Sequence, residues 1–182
     1  MPEYDIDFAA KLAKVADNVD EHDPWAHDAR RVTIYLGRLS AELTMKALLE
    51  QAGVPIASIR ARNHNLRKLL EDTGQCEVEV EIAPGTRQWV SASRVRAVSI
   101  DLGLAQVPIG AIIDAENDGA SQYPNKIRYG EIYADFDPSL VSQMALLLSD
   151  WAKTHWSRIR CITVTANTSV NSDAPIAARP LP

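Results

Sequence analysis

The stretch "WAHDARRVTIYLGRLSAELTMKALLEQAG", Trp25 to Gly53, decides the fold, because Gly37 is its only interior residue that weakens a helix. Asp23 as a capping residue and Pro24 at the first helical position predict where this helix begins. Gly53 and Pro55 predict its end. Apolar residues recur every three or four positions and predict one broad apolar face, made of Val32, Tyr35, Leu36, Leu39, Leu43, Ala47 and Leu48.

Three further segments have helical patterns. Asn63 is a good capping residue for a short helix that Gly74 ends, and Asp137 with Pro138 predicts a second long helix over 138–160. The segment "DIDFAAKLAKVADNVD", Asp5 to Asp20, predicts a helix with one apolar stripe, made of Phe8, Leu12, Val15, Ala16 and Val19. Short connections favour side-by-side packing, so 24–52 and 64–73 are expected to be neighbours, with 138–160 completing the core.

The middle of the chain has a different pattern. Cys76 to Ile82, "CEVEVEI", alternates apolar and acidic residues with the period of a half-buried strand. Glycines and prolines then interrupt the chain too often for one regular element, so residues 75–126 are expected to form mixed short elements. The fold class predicted is mainly α, an antiparallel helical bundle with a small irregular or β-containing insertion. One domain over 1–162 is expected, followed by a flexible tail over 163–182 that is rich in small polar residues and proline.

Composition limits the classes of function. The 182 residues are 46% hydrophobic and 24% charged, which is typical of a soluble globular domain. A net charge of −5 argues against a surface built for non-specific phosphate binding. Two cysteines are too few for a disulfide framework, so a cytoplasmic location is expected. No run approaches the roughly 18 apolar residues that a membrane span needs, so no membrane association is expected.

The densest basic segment is "RARNHNLRKLL", Arg60 to Leu70. Histidine titrates near neutral pH and arginine presents a planar fork to phosphate, so these residues suit phosphate binding or metal-free RNA cleavage. The weak catalytic candidates are His64 and Arg60. The wider set of candidates for ligand binding comprises these two together with Arg62, Asn65, Arg67, Arg128, Tyr129, Glu42 and Lys46. The sequence favours a structural interpretation, in which His64 only begins a capped helix and the arginines are solvated.

Two other constellations have simpler interpretations. Glu42 and Lys46 are four residues apart and favour a pair, which is expected to be solvated, with an inward pair lining a cleft as the alternative. His22 and His27 stand five apart among acids, whereas zinc sites on helices prefer three or four, so no metal is expected. No glycine-rich phosphate loop or nucleophile motif is present, and no cofactor is expected.

Two stretches nevertheless resemble a known family. Ala41 and Glu42, followed by "KALL" from Lys46, and then Asn63, His64, Asn65 and Leu66 resemble the HEPN domain, a helical bundle. That family has an Ala-Glu-x-x-x-Lys-Ala-Leu-Leu stretch on a long helix and a capped His-(Asp/Asn)-Leu opening of the next. The pair Arg128 and Tyr129 is similar to an Arg-Tyr pair that the family often has before its last helix.

The resemblance implies a nucleotide- or RNA-associated protein. Some HEPN members are metal-independent endoribonucleases, often components of bacterial toxin or defence systems, and act as homodimers. Their catalytic signature is an arginine, four to six residues, then a histidine, whereas only three residues separate Arg60 from His64 here. The expected function is therefore binding of a nucleotide or RNA by a homodimer. A non-catalytic helical module that binds a partner protein is the alternative.

Overall fold

The computed structural model describes residues 2–23, 25–117, 124, 127, 129 and 137–162. The first four described elements are helices: α1 (Ile6–His22), α2 (His27–Gln51), α3 (Ile56–Arg60) and α4 (Leu66–Gly74). Strands β1 (Cys76–Ala83) and β2 (Thr86–Ser91) follow, then a 3-10 turn (Ala92–Ala97) and strands β3 (Ser99–Asp101) and β4 (Gln106–Pro108). Helix α5 (Ile109–Asn117), helix α6 (Pro138–His155), a 3-10 turn (Trp156–Arg158) and strand β5 (Ile159–Cys161) complete the described elements.

Helices α1, α2 and α6 pack against one another and form the core, as predicted for a mainly helical bundle. The Ser40 hydroxyl of α2 donates to the Ala9 carbonyl of α1, and Ser142 of α6 donates to Asp17 of α1. The second contact of α1 with α6 is the ion pair of Asp7 with Lys153, and Tyr4, just before α1, contacts Glu50 near the end of α2. In each pair the chain positions therefore run in opposite order, so α1 is antiparallel to both neighbours, and α2 and α6 run in the same direction. Helix α4 packs on α2, so the predicted neighbours are confirmed.

The β structure is small and antiparallel. Strand β1 is central in a three-stranded sheet of order β2-β1-β5, and β3 and β4 form a separate hairpin. The predicted strand over Cys76–Ile82 and the mixed short elements that follow it are confirmed in the described part of 75–126. Residues 118–123, 125, 126 and the predicted tail 163–182 lie outside the described residues.

Two predicted helix starts are wrong. Asp23 closes α1, where its amide donates to the Val19 carbonyl, and α2 begins at His27 without a side-chain cap. Pro24 lies outside the described residues. Asn63 does not cap α4 because its φ of 50° puts it in the left-handed region, which asparagine tolerates better than most residues. Asn65 is the cap instead, and its side chain accepts from the Lys68 amide at 2.9 Å.

Helix α1 does not bury the apolar stripe that its sequence displays. Its buried face consists of alanines, namely Ala9, Ala10, Ala13 and Ala16. Phe8 remains 51% exposed and Val15 46% exposed. Small side chains let α1 approach α2 and α6 closely, and the larger apolar residues are left on the flank of the helix.

Candidate functional site

The contacts of one buried carboxylate, Glu42, organise the candidate site, which lies where α2 meets the turn before α4. Glu42 is 3% exposed, and its Oε1 accepts a hydrogen bond from Lys46 Nζ at 2.7 Å. His64 Nδ1 lies 2.9 Å from Glu42 Oε2 and 3.2 Å from Oε1. Because a carboxylate only accepts hydrogen bonds, the geometry favours a proton on Nδ1 of His64.

This arrangement corrects the solvated interpretation of the Glu42–Lys46 pair. Lys46 is 7% exposed and Glu42 3% exposed, because both side chains lie on the inner side of α2 and are covered by the N-terminal segment and the turn before α4. The Lys46 ammonium also lies 5.5 Å from the centroid of the Tyr4 ring, a cation–π distance. The Glu42–Lys46 pair therefore faces inward, and the prediction of a solvated pair is wrong.

The N-terminal segment forms one wall of the site. Backbone amides of Glu3 and Tyr4 donate to the Glu50 carboxylate at 2.8 and 2.9 Å, which fixes the segment on the end of α2. Burial raises the pKa of the Tyr4 hydroxyl above its ordinary value, and the neighbouring Glu3 carboxylate raises it further. Sequence reasoning missed these residues because 46 and 47 positions separate them from Glu50.

Arg60 is held at the outer edge of the same segment. Its Nε and Nη2 donate to the two oxygens of Glu3 at 2.9 and 2.6 Å, a bidentate pair. The Arg60 hydrogen bond holds the pKa of the Glu3 carboxyl below its ordinary value. The Arg60 side chain is 66% exposed, so this pair faces solvent.

The other basic candidates are distributed around this cluster and paired with acids. Arg62 donates to both oxygens of Asp72 at 2.6 and 3.1 Å. Arg67 is on α4, and its Nε lies 3.3 Å from Oδ1 of Asp114 on α5. Asn65 serves as the α4 cap, as described above. The structure thus brings Glu42, Lys46 and His64 into direct contact and places the arginines in separate ion pairs.

The remaining predicted residues are not joined to this cluster by any contact among the described residues. Tyr129 is 84% exposed, and Arg128 lies outside the described residues. His22 Nδ1 donates to the Asn18 carbonyl at 2.7 Å, and His27 lies beside Asp28. Within the described ranges, no group of three or more histidine, cysteine, aspartate or glutamate side chains is placed to hold a metal ion.

Residues in the described ranges also line two concave surfaces away from this cluster. A cavity of about 510 Å³ is bordered by Ile127 and one flank of α2, with lining residues Asp28, Arg31, Val32, Tyr35 and Leu36. A smaller pocket of about 270 Å³ lies between α1 and α6 and is lined by Asp7, Ala10, Lys11, Lys14 and Lys153. Three of the residues that line the smaller pocket are lysines, and no sequence pattern had marked them as a basic surface.

No protein-family model, no curated protein and no solved structure matches this chain. The resemblance to the HEPN domain therefore stays a prediction. None of the helices in the described ranges is both long and apolar enough to cross a membrane.

Proposed function

We propose that this is a HEPN-like protein that binds the phosphates of a nucleotide or RNA at His64 and Arg60. The observation that carries the proposal is the buried Glu42 carboxylate, which is neutralised by Lys46 and fixes the ring of His64. The His64 side chain is 53% exposed, so an oriented imidazole faces the surface. A carboxylate that accepts the Nδ1 proton of a histidine fixes the orientation and the tautomer of its ring.

Arg60 supplies the cationic part of the proposed site. Its guanidinium already binds a carboxylate through two parallel hydrogen bonds, and phosphate presents oxygens in the same geometry. Four chain positions separate Arg60 from His64, so their Cα atoms lie within about 14 Å. A ligand phosphate would replace Glu3 on Arg60, and Glu3 acts as an internal competitor.

Binding without cleavage is the form of the proposal that the residues favour. RNA cleavage needs a base, an acid and a cation at the scissile phosphate. Here the spacing between Arg60 and His64 is shorter than the HEPN signature, and Arg60 is engaged by Glu3. The family resemblance is the sole support for a role in a toxin or defence system.

Fluorescence anisotropy with a labelled single-stranded RNA, and competition by ADP, tests the proposal. His64→Ala and Arg60→Ala are each expected to weaken binding by about tenfold, the effect of losing one hydrogen bond to a charged group. Matched controls are His22→Ala, an exposed histidine on α1, and Arg87→Ala, an exposed arginine paired with Glu79 on the β1–β2 hairpin. Competition by ADP distinguishes a nucleotide site from one that needs an RNA chain.

The same binding assay can also contradict the proposed site. Unchanged binding in His64→Ala would exclude the proposed site, as would binding lost only in Lys11→Ala/Lys14→Ala, which neutralises the pocket between α1 and α6. Incubation of RNA with the protein in EDTA is expected to leave the RNA intact. Glu3→Gln removes the competitor and is expected to tighten binding by about threefold, the scale of one exposed ion pair.

A protein-interaction module is the second candidate function, and an unburied apolar surface favours it. The apolar band comprises Phe8, Leu12, Val15 and Val19 on α1 and Val32, Leu36, Leu39 and Leu43 on α2. Within each helix these residues alternate spacings of three and four, the pattern of a helix–helix seam. None of the eight is fully buried, and Val32 is 43% exposed.

A second copy of this chain is the proposed occupant of the apolar band. Helix α6 contacts α1 and α2 from the opposite side, through Asp17 and Gly37, so the band is the outer face of the α1–α2 pair. Helix α1 is about 26 Å long, and two adjacent helices present a face about 20 Å wide. These dimensions give a face of about 500 Å², below the roughly 800 Å² that each partner buries in a standard interface, so a dimer formed through the band alone is expected to be weak.

A further inference from the structure

The two cysteines of the chain lie directly opposite each other on adjacent strands of the three-stranded sheet. Cys76 opens β1, Cys161 closes β5, and the antiparallel register pairs them directly. Directly opposed residues in an antiparallel pair place their side chains on the same face of the sheet. The sequence does not predict that they are adjacent, because 84 residues lie between the two cysteines.

The local hydrogen bonding identifies the type of pair. The Cys161 amide donates to the Ala52 carbonyl at 2.9 Å, so it does not donate to Cys76. Residues that do not exchange backbone hydrogen bonds form the narrow pair of an antiparallel ladder, with Cα atoms about 4.5 Å apart. That separation lies inside the range of about 4.4 to 6.8 Å found for disulfides. The Cα separation expected for this type of pair is therefore compatible with an S–S bond.

We propose that Cys76 and Cys161 are a redox modification site and form a reversible intrachain disulfide. The co-reactant is a small disulfide such as oxidised glutathione. The partly exposed thiolate of Cys161 attacks one of its sulfurs, forming a mixed disulfide and releasing one glutathione thiol. Cys76 then loses its proton to solvent and attacks the Cys161 sulfur, which forms the intrachain bond and releases the second thiol. Both cysteines are oxidised, and one glutathione disulfide is reduced to two thiols.

Exposure and protonation set the order of these steps. Cys76 is 1% exposed, whereas Cys161 is partly exposed at the end of the described chain. Burial, and then the neighbouring Cys161, raise the pKa of the Cys76 thiol to about 12. Cys76 is thus a poor first nucleophile, and Cys161 is the entry point for the oxidant.

The bond would connect three parts of the fold. Cys161 is attached to the end of α2 through Ala52, and β5 follows α6 along the chain. Cys76 follows α4, and its thiol donates to the Asp72 carbonyl at 3.7 Å. Asp72 is the residue that holds Arg62, so the disulfide lies at the opposite end of α4 from His64. This inference stands independently of the proposed function.

The test is oxidation of the full-length protein in a glutathione redox buffer, followed by acid quenching and intact mass measurement. The expected product is a monomer that has lost the mass of two hydrogen atoms, with peptide mapping showing Cys76 linked to Cys161. Reducing agent restores both thiols. Oxidised protein is expected to unfold at a higher urea concentration than reduced protein, because the bond closes a long loop.

Cys161→Ser is the matched control, because it removes the partly exposed thiol and preserves the buried one. It is expected to remain unmodified in the same buffer and to unfold at the midpoint of reduced wild type. Three outcomes would overturn the proposal: two free thiols throughout, a stable glutathione adduct on Cys161 that does not close, or a disulfide between two chains. A circular dichroism spectrum of Cys161→Ser matching reduced wild type excludes misfolding as the cause.

Discussion

Glu42 and His64 are 22 positions apart, and the Oε2 and Nδ1 atoms that join them are separated by 2.9 Å. The contact connects the interior of α2 to the turn that precedes α4. Lys46 occupies the other oxygen of the same carboxylate, so the buried negative charge has a buried positive partner and a half-exposed imidazole. A buried carboxylate with a buried cation can orient a histidine, but removal of either charged partner leaves the other charge buried and unpaired.

The buried pair is expected to be coupled. Lys46→Met leaves the Glu42 carboxylate buried without its cation and is expected to lower the free energy of unfolding by about 3 kcal/mol. Glu42→Met/Lys46→Met removes both charges and is expected to recover most of that loss, because apolar residues of similar volume replace a desolvated pair. Urea denaturation of the two variants and wild type measures the difference. Equal losses in the single and double variants would contradict a buried, coupled pair.

The Glu3–Arg60 pair gives a pH dependence with a definite sign. Arg60 lowers the pKa of Glu3 in the folded protein, so the pair is present above the ordinary value of 4.5 and is lost as the pH falls through the lower folded value. NMR titration of the Glu3 carboxyl carbon is expected to give a midpoint below 4.5 in wild type. In Arg60→Ala the midpoint is expected to return toward 4.5, and identical midpoints in both proteins would refute the pair.

Gly37 is expected to resist replacement although it stands inside a helix. An added Cβ would lie 2.9 Å from Val141 Cγ1 and 3.1 Å from the Val141 carbonyl oxygen, which is backbone of α6. Gly37→Ala is therefore expected to destabilise the protein, against the gain of about 1 kcal/mol that alanine gives in an open helix. Thermal unfolding measures it. Gly74→Ala is the control, because its nearest contact is an ordinary 3.4 Å, and equal stability of both variants would contradict close α2–α6 packing.

The apolar band gives a prediction about assembly. Phe8→Ser/Val15→Ser removes two exposed apolar side chains from α1 and is expected to convert a dimer into a monomer in sedimentation equilibrium. Stability of the isolated fold is expected to change little, because neither residue is in the buried core. Ile82→Ser, an equally exposed apolar residue on the β1–β2 hairpin, is the control. A wild-type protein that is monomeric at high concentration would remove this second candidate function.

Local patterns predicted most of the helices and the central strand. Asp137 and Pro138 begin α6 as expected, with the Asp137 side chain accepting from the Ser139 amide at 3.0 Å. The alternation from Cys76 likewise became β1. The sequence was not sufficient where two capping residues compete. Asn63 and Asn65 are both suitable, but Asn63 takes the left-handed conformation and Asn65 caps α4.

The sequence predicted which residues belong to the candidate site, but it did not predict which of them are in contact. His64, Glu42 and Lys46 were each identified, but a spacing of four predicts a pair without saying which side of the helix is covered. Glu3 and Tyr4 cover it, and they carry no motif that links them to α2. The opposition of Cys76 and Cys161 was equally beyond local patterns, because it follows from the order of strands in the sheet.

The measurement that tests the central claim most directly is a long-range proton–nitrogen NMR spectrum of the histidine rings during titration with RNA. In alkaline buffer without ligand, His64 is expected to carry its proton on Nδ1, as the contact with Glu42 requires. Addition of RNA is expected to shift the His64 ring and Arg60 Nε signals and to leave His22 unchanged. A His64 proton on Nε2, or shifts confined to residues around Lys11 and Lys14, would contradict a phosphate site organised by Glu42.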